Sequence, residues 1–146
     1  MKLFGLLLIC FFGLNANAQQ VEIENTVKTF FDGCNERDTT KVKSVCHHEM
    51  IFKSILEGEI GVKLEEEITS DSSLSFASLP ENMKFKIKKP SCKIQTDGTV
   101  ANAWTPYEFY VSGKLHHSGV CDFTLSKKND AWKIIYIIDT RRKSIK

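Results

Sequence analysis

Three groups in the last third of the chain could do chemistry: the imidazole of His117, the carboxyl group of Asp139 and the phenol of Tyr107. A histidine or an aspartate can move a proton, and a tyrosine hydroxyl can donate a hydrogen bond to a developing oxyanion. Converging inside a cavity, they would suit isomerase-, dehydratase- or cyclase-type catalysis. His117 has no partner carboxylate at a recognisable spacing, so a non-enzymatic binding pocket is the first interpretation and catalysis the alternative.

A wider set of aromatic and polar side chains could line a pocket for a small hydrophobic or aromatic molecule. Rings with a few polar groups suit a flat organic ligand. Trp104 and Tyr107 could equally be core or rim aromatics, and His48 a capping or core histidine. The predicted ligand-binding residues are His48, Trp104, Tyr107, Phe109, His117, Cys121 and Phe123.

The cysteines and histidines form no metal motif, since neither Cys-x-x-Cys nor His-x-His occurs. Adjacent histidines on a strand, such as His47 and His48, should point in opposite directions and cannot share one ion. We therefore expect neither a metal nor a cofactor. Four cysteines allow three pairings, which the sequence leaves open, and buried free thiols are favoured over disulfides. They are Cys34, Cys46, Cys92 and Cys121.

Two helices are predicted to precede and cover a sheet. Apolar residues at spacings of three and four indicate a first helix that ends near Gly33. Its apolar face consists of Ile23, Val27, Phe30, Phe31 and Cys34. Asp38 or Thr39 can cap a second, shorter helix. The core-facing residues of that helix are Val42, Val45 and Cys46.

Runs of β-prone residues bounded by turns predict a curved antiparallel sheet, and hence an α+β fold. The predicted strands are Met50–Leu56, Phe85–Gln95, Val100–Val111, Leu115–Ser126 and Ala131–Arg141. The Asp97-Gly98 turn predicts a hairpin. Glu65–Glu67 reads as a solvated helix face or a hairpin edge, and Asp71–Ala77 as a short capped helical turn.

Alternation along Leu115–Ser126 predicts which side chains face the helices. His117, Cys121 and Phe123 share the inward parity, and His116 points outward if no bulge shifts the register. Gly119 lies between the inward residues, and its missing side chain could leave room for a bound molecule.

Two other strands carry candidate site residues. Pro106 interrupts Val100–Val111 and predicts an edge or a bulge, which leaves the facing of Trp104, Tyr107 and Glu108 open, although Tyr107 is preferred over Glu108 as a site residue. On the last strand Asp139 and Arg141 share a face, so they could form an ion pair on the surface or at the pocket mouth.

The last strand is apolar on both faces. Strict alternation places Ile134 and Ile138 with Trp132 and Tyr136, and puts Ile135 and Ile137 opposite. A strand that is apolar on both sides predicts a covered outer face, and a second copy of the chain is the simplest cover. We therefore expect a homodimer through the sheet face; scattered exposed apolar residues are the alternative.

The N-terminus has the pattern of an export signal. Lys2 precedes an apolar run, Leu3–Leu14, and Ala16-Asn17-Ala18 resembles a cleavage site, so residues 1–18 are predicted to be a signal peptide. The apolar run is too short for a stable membrane span. Of the 146 residues, removal of 18 leaves 128 for one domain, 19–146, in a periplasmic or secreted protein.

The charge of this mature chain gives no indication of nucleic-acid binding. Without Lys2 it carries 19 basic against 18 acidic residues, a formal net charge of +1. Its longest basic run is the three residues Arg141–Lys143. Nucleic-acid binding would need a basic stripe, so a small-molecule ligand is the expected partner.

Several blocks together resemble the nuclear transport factor 2-like (NTF2-like) superfamily, over nearly the whole mature chain. The blocks are Cys46-His-His-Glu, Trp104-Thr-Pro-Tyr-Glu-Phe-Tyr, Gly113-Lys-Leu-His-His-Ser-Gly-Val, Trp132-Lys-Ile-Ile and Ile138-Asp-Thr-Arg-Arg. The chain is most similar to the exported bacterial branch with lumazine-binding-like or SnoaL-like names. The resemblance implies a cone-shaped, strongly curved sheet wrapped around N-terminal helices, with a cavity at one end. Relatives often carry Asp or Asn where this chain has Cys121.

Overall fold

The computed structural model describes residues 4–58, 61–67, 79–89 and 91–143, with side chains from residue 17 onward except 64–67. Within these ranges two helices, α1 (Phe4–Glu36) and α2 (Thr39–Val45), precede a curved, unclosed seven-stranded sheet. Its strands are β1 (Cys46–Gly58), β2 (Gly61–Glu67), β3 (Phe85–Lys88), β4 (Lys93–Thr96), β5 (Val100–Val111), β6 (Lys114–Lys128) and β7 (Ala131–Lys143). The predicted α+β class is confirmed. The predicted helical turn at Asp71–Ala77 lies outside the described residues.

The strands follow the order β2-β1-β7-β6-β5-β3, and β4 also pairs with β5. Every pair is antiparallel except β1 and β7, which are parallel. The expectation of an entirely antiparallel sheet is therefore wrong for this one pair. These two strands are joined by a long stretch of chain, which gives the room that a parallel connection needs. Glu65–Glu67 lie in β2 at the sheet edge, which is one of the two predicted alternatives.

The predicted apolar face of α1 is confirmed, because all five of its residues are buried against the sheet. The predicted end near Gly33 is wrong, and the helix continues to Glu36. A Cβ atom at Gly33 would lie 2.7 Å from Val42 Cγ2, so this glycine permits the close approach of α2. The chain reverses at Arg37, whose φ is 57°, and Asp38 caps α2 as predicted. Within the described part of the chain, no helix combines the length and apolar character that a membrane crossing requires.

The predicted strand Phe85–Gln95 is two separate strands. β3 pairs with residues 108–111 of β5, and β4 pairs with residues 101–104. Pro106 lies in the gap between them, where neither strand pairs with this side of β5. A proline has no N–H group to donate, and at this position no neighbouring strand requires one. It therefore occupies an edge position as predicted, and β5 keeps its alternation, with Thr105 and Tyr107 buried and Trp104 exposed.

Strict alternation is wrong for β7, because Ile135 is an extra residue in the strand. Leu125 of β6 pairs with Ile134, whereas the preceding Thr124 pairs with Tyr136. This β-bulge reverses the facing of all later residues. Ile137 consequently joins Ile134 in the core and Ile138 turns outward. The same change of parity brings Asp139 to the inner face.

Candidate functional site

A cavity of about 400 Å³ lies between the inner face of the sheet and α1. We call it the apolar cavity, because most of the residues around it are aromatic or aliphatic. Its lining consists of Phe30, Phe31, Cys34, Met50, Phe52, Leu79, Met83, Ile87, Tyr107, Phe109, Val111, His116, His117, Cys121, Asp139 and Arg141. Pockets for small organic molecules typically have this size and this balance of apolar walls with few polar groups.

The polar part of the apolar cavity is centred on Asp139, which is only 4% exposed. Its Oδ2 atom accepts hydrogen bonds from the Tyr107 hydroxyl at 2.9 Å and from Arg141 Nε at 3.0 Å. Its Oδ1 atom accepts a hydrogen bond from the Ser54 hydroxyl. A buried carboxylate needs such partners, and the guanidinium group supplies the opposite charge. The predicted pair of Asp139 and Arg141 is present and reaches the cavity.

Tyr107 lies on β5 with its ring buried and its hydroxyl at this carboxylate. The hydroxyl also lies 3.1 Å from the carbonyl oxygen of Thr140, to which it can donate. Burial, followed by the negative charge of Asp139, raises the pKa of Tyr107 well above its ordinary value. Tyr107 is therefore a neutral phenol that donates its proton to Asp139 or Thr140.

His117 faces the cavity as predicted, and its ring stacks on Phe109 with a centroid distance of 4.8 Å. Burial lowers the pKa of His117 from 6.5 to about 4, and the nearby positive charge of Arg141 acts in the same direction. The imidazole is therefore neutral at pH 7. A neutral imidazole beside a phenol and aromatic rings adds hydrogen-bonding capacity to the wall without adding charge.

His116 does not point away from the site as strict alternation predicts. Phe109 pairs with His117 but Tyr110 pairs with Leu115, so His116 is an extra residue in β6. At this bulge the Nδ1 atoms of His116 and His117 lie 2.9 Å apart, and both rings line the apolar cavity. The outward facing predicted for His116 depended on the absence of a bulge, and no turn residue in the sequence indicates one here.

A second depression, which we call the basic groove, adjoins the apolar cavity and has a volume of about 840 Å³. The two share three lining residues, His116, His117 and Arg141. The remaining lining of the groove comes from the β1–β2 hairpin and the end of β7, and consists of Leu56, Glu57, Gly58, Gly61, Val62, Lys63 and Lys143. The basic groove is the larger of the two and is more open to solvent. The hydrogen-bonded cluster around Asp139 lies in the apolar cavity.

Of the seven predicted ligand-binding residues, the structure brings four together at the apolar cavity: Tyr107, Phe109, His117 and Cys121. It places three elsewhere. Trp104 is 47% exposed on the opposite face of the sheet, because β5 keeps its alternation through Pro106. Phe123 is fully buried in the core against Phe30 and Phe31. His48 is largely exposed at the start of β1, so it is neither a core nor a cavity residue.

Gly119 has a structural role that differs from the predicted one. A Cβ atom there would lie 1.7 Å from the carbonyl oxygen of Thr140, on the neighbouring strand. The missing side chain therefore permits the close approach of β6 and β7, and does not make room for a ligand. The same region holds the Thr140 hydroxyl, which accepts a hydrogen bond from the Val120 N–H group at 3.0 Å.

Much of the cavity wall is absent from the predicted site residues, most of which lie on β5 and β6. Phe30 and Phe31 were assigned to the core, and Met50, Phe52 and Ser54 lie on β1. A signal was available for Ser54, because a serine within the apolar run Met50–Leu56 is a polar group that must find a buried partner. No comparable signal distinguishes Leu79 and Met83 from ordinary core residues.

The four cysteines of the predicted mature chain are free thiols, which the sequence analysis favoured over disulfides. Cys34 and Cys121 are buried and line the apolar cavity. Burial raises the pKa of both thiols, and for Cys121 the negative charge of Asp139 adds to this effect. They contribute apolar surface and are not activated nucleophiles.

His47 and His48 do not point in opposite directions as predicted, since their ring centroids are 4.2 Å apart. The pairing of β1 with β7 is irregular between Cys46 and Ile51, which breaks the alternation there. With Glu49 the two rings form a group whose potential ligand atoms lie within 4.8 Å of one another. This group lies outside the lining of the apolar cavity.

No family model matches the chain, and no curated protein matches it either. Solved structures do. The chain is similar to the beta subunit of a proposed aromatic-ring-hydroxylating dioxygenase from Novosphingobium aromaticivorans, with a TM-score of 0.70, 9% identity, and coverage of 90% of this chain and 93% of that one. A protein of unknown function with a cystatin-like fold from Nostoc punctiforme has a TM-score of 0.68, 11% identity and coverage of 86% and 92%. An NTF2-like protein from Cytophaga hutchinsonii has a TM-score of 0.64, 12% identity and coverage of 85% and 98%.

The chain therefore has the NTF2-like fold, which is also named cystatin-like, and the predicted resemblance is confirmed at the level of fold. Assignment to the exported branch stays a prediction. At these identities the comparisons define the architecture alone, because one such fold can carry many unrelated activities.

Proposed function

We propose that this protein is a non-enzymatic binding module that holds a small hydrophobic or aromatic molecule in the apolar cavity. The observation that carries the proposal is a cavity of about 400 Å³ with aromatic and aliphatic walls and one polar cluster around Asp139. Apolar walls supply most of the binding free energy, and a few fixed polar groups select the orientation of the ligand. No cofactor or metal takes part.

The hydrogen bonds of Asp139 support binding in preference to proton transfer. Both of its oxygen atoms already accept hydrogen bonds, from Ser54, Tyr107 and Arg141. A general base needs an oxygen atom that can reach a substrate proton. The carboxylate is instead held in place, and it orients the Tyr107 hydroxyl and the Arg141 side chain at the cavity wall.

Titration with the neutral fluorophore N-phenyl-1-naphthylamine tests the proposal. We expect saturable fluorescence enhancement with one site per chain, lost in Val111→Trp, which places an indole in the cavity. Val100→Trp is the matched control on the same strand, because Val100 is exposed and outside the cavity. Absence of saturable binding, or equal binding by the two variants, would contradict the proposal.

An isomerase-, dehydratase- or cyclase-type enzyme is the second candidate. It is favoured by one observation: a phenol, a carboxylate and an imidazole, Tyr107, Asp139 and His117, line the same cavity. The test is conversion of a β,γ-unsaturated ketosteroid to its conjugated isomer, followed by ultraviolet absorbance. Turnover that is lost in both Asp139→Asn and His117→Ala, but kept in His48→Ala, would establish this candidate against the first.

We also propose that two copies associate through the outer face of the sheet. Trp104, Asp122, Ile138 and Lys53 lie side by side across β5, β6, β7 and β1 on that face. The row combines exposed apolar surface with charges of both signs, which suits a self-complementary contact. Sedimentation velocity should show a dimer that Trp104→Lys dissociates and Val21→Lys, on α1, does not. A wild-type monomer at micromolar concentration would end this proposal.

Export, with cleavage after Ala18, is proposed from the N-terminal sequence pattern. The intact mass of the protein recovered from the periplasm or medium should match a chain that begins at Gln19. Recovery of only the full-length chain, within cells, would contradict it.

A further inference from the structure

We infer that His47, His48 and Glu49 form a surface site for one divalent late transition-metal ion, such as Zn²⁺ or Cu²⁺. The expectation of no metal rested on adjacent histidines that point in opposite directions, and the structure places these two rings side by side. None of the three residues lines the apolar cavity, so this site goes beyond the proposed binding function and does not depend on it.

The irregular start of β1 brings the two histidine rings together. The pairing of β1 with β7 jumps from Cys46 to Ile51, so residues 47–50 lie opposite a single residue of β7. These residues leave the regular ladder, and the alternation that separates neighbouring side chains no longer holds there. The ring centroids of His47 and His48 are consequently 4.2 Å apart. Bulges re-aim side chains in this way and are common beside functional sites.

The donor set and its spacing suit a late transition-metal ion. Two imidazole nitrogens and one carboxylate oxygen are ligands that Zn²⁺ and Cu²⁺ accept. The potential ligand atoms lie within 4.8 Å of one another, and His48 Nε2 is 4.0 Å from Glu49 Oε2. Two ligand atoms of one tetrahedral ion lie roughly 3.3 Å apart, so the side chains must approach by roughly 1 Å. The side chains of His48 and Glu49 are 75% and 78% exposed, which gives them room for this movement.

His47 already presents an unprotonated nitrogen towards the third ligand. Its Nδ1 atom accepts a hydrogen bond from the backbone N–H group of Glu49 at 3.2 Å. A nitrogen that accepts a hydrogen bond carries a lone pair, as a metal ligand must. A metal ion at Nδ1 takes the place of this long hydrogen bond, and the released N–H group lies at an exposed position where water can accept it.

The other histidine pair is less suited to a cation. The Nδ1 atoms of His116 and His117 lie 2.9 Å apart and satisfy each other. The positive charge of Arg141 also acts on His117, and it would repel a metal ion. Cys46 precedes the proposed site but packs against the hydrophobic core, so it is not counted among the ligands. Metal binding is therefore assigned to the start of β1.

Isothermal titration of the tag-free protein with zinc chloride tests the inference. We expect saturable binding of one Zn²⁺ per chain, and tighter binding of Cu²⁺, which follows the usual order of affinities at sites with nitrogen ligands. An excess of Mg²⁺ should not displace Zn²⁺, because Mg²⁺ requires oxygen ligands. Absence of saturable Zn²⁺ binding, or displacement by Mg²⁺, would overturn the inference and leave the proposed function intact.

Single variants locate the metal ion. His47→Gln, His48→Gln and Glu49→Gln should each weaken Zn²⁺ binding at least about tenfold, because even a group that only supports a ligand contributes about that much. His116→Gln is the matched control, since it removes one imidazole from the other adjacent pair and should leave the Zn²⁺ affinity unchanged. Unchanged affinity in the three variants, or a loss in His116→Gln instead, would place Zn²⁺ elsewhere and overturn the inference.

Discussion

The Tyr107 hydroxyl and the Asp139 carboxylate, which lie on β5 and β7, join two strands that are not neighbours in the sheet. The donor and acceptor atoms are 2.9 Å apart inside the apolar cavity. β6 lies between the two strands, and Gly119 on it leaves the space through which Tyr107 also reaches the Thr140 carbonyl group. The polar cluster is thus part of the packing of the sheet as well as part of the cavity wall.

Removal of the Tyr107 hydroxyl should destabilise the fold. In Tyr107→Phe the buried carboxylate loses one of its three donors, and we expect the free energy of unfolding to fall by about 1.5–3 kcal/mol. Urea denaturation followed by circular dichroism measures the change. Tyr136→Phe removes the same atom from a half-buried position on the outer face and should cost less than about 0.5 kcal/mol. Equal losses would show that Asp139 does not depend on this bond.

Gly119→Ala should be strongly destabilising, because a Cβ atom would overlap the Thr140 carbonyl oxygen at 1.7 Å. Backbone atoms cannot move aside as a flexible side chain can, so β6 and β7 must separate. We expect a loss of at least about 3 kcal/mol in the free energy of unfolding. Gly58→Ala, also on a strand, meets no atom nearer than 3.9 Å and serves as the control. A tolerated alanine at position 119 would contradict the observed strand contact.

His117 should make stability depend on pH on the acidic side. Burial, with Arg141 nearby, lowers the pKa of His117 from 6.5 to about 4 in the folded protein. Between these values the unfolded chain binds a proton that the folded protein does not. Stability from this residue is therefore complete above pH 6.5 and falls as the pH drops towards 4.

The pH effect is measured as the urea midpoint at a series of pH values from 7 to 4. We expect His117→Gln to lose this part of the pH dependence, whereas His48→Gln, at an exposed site, keeps it. The nuclear magnetic resonance titration of the His117 ring should show a midpoint near 4. A midpoint at or above 6.5 would contradict the buried environment.

Cys34 and Cys121 should resist alkylation in the folded protein, because burial raises the pKa of both thiols and little of the reactive thiolate is present. Burial also raises the pKa of Cys46 to about 12, so it should react slowly at pH 8. Iodoacetamide labelling followed by peptide mass spectrometry measures each rate. The same protein in urea is the control, in which all four cysteines of residues 19–146 should react. Rapid native labelling of Cys121 would contradict the raised pKa of its thiol.

Local periodicity made much of the fold predictable. The buried face of α1 follows from spacings of three and four, and the inward set of β6 follows from alternation. Both rules depend only on neighbours along the chain. Alternation on β6 placed His117 and Cys121 at the cavity, and the spacing of Asp139 and Arg141 predicted their pairing. The facing of Tyr107 was left open by Pro106, and its place in the site was predicted from its ring and hydroxyl group alone.

The remaining features depend on partners distant in sequence. The parallel pairing of β1 with β7, the bulges at His116 and Ile135, and the split between β3 and β4 are all properties of strand pairs. No single strand carries a signal for its partner's register. Trp104 was misplaced for a related reason, since the gap that accommodates Pro106 is formed by residues far along the sheet.

One β-bulge in β7 decides the chemical character of the cavity. If Ile135 paired regularly with β6 and did not bulge, the side chains of Tyr136, Ile138, Thr140 and Arg142 would face inward, and Asp139 and Arg141 would face solvent. The same sequence in regular register would thus exchange a charged wall for a mostly uncharged one while leaving the strand itself in place. A related chain with the same fold and the same residues, but without this bulge, would be expected to select a different class of guest molecule.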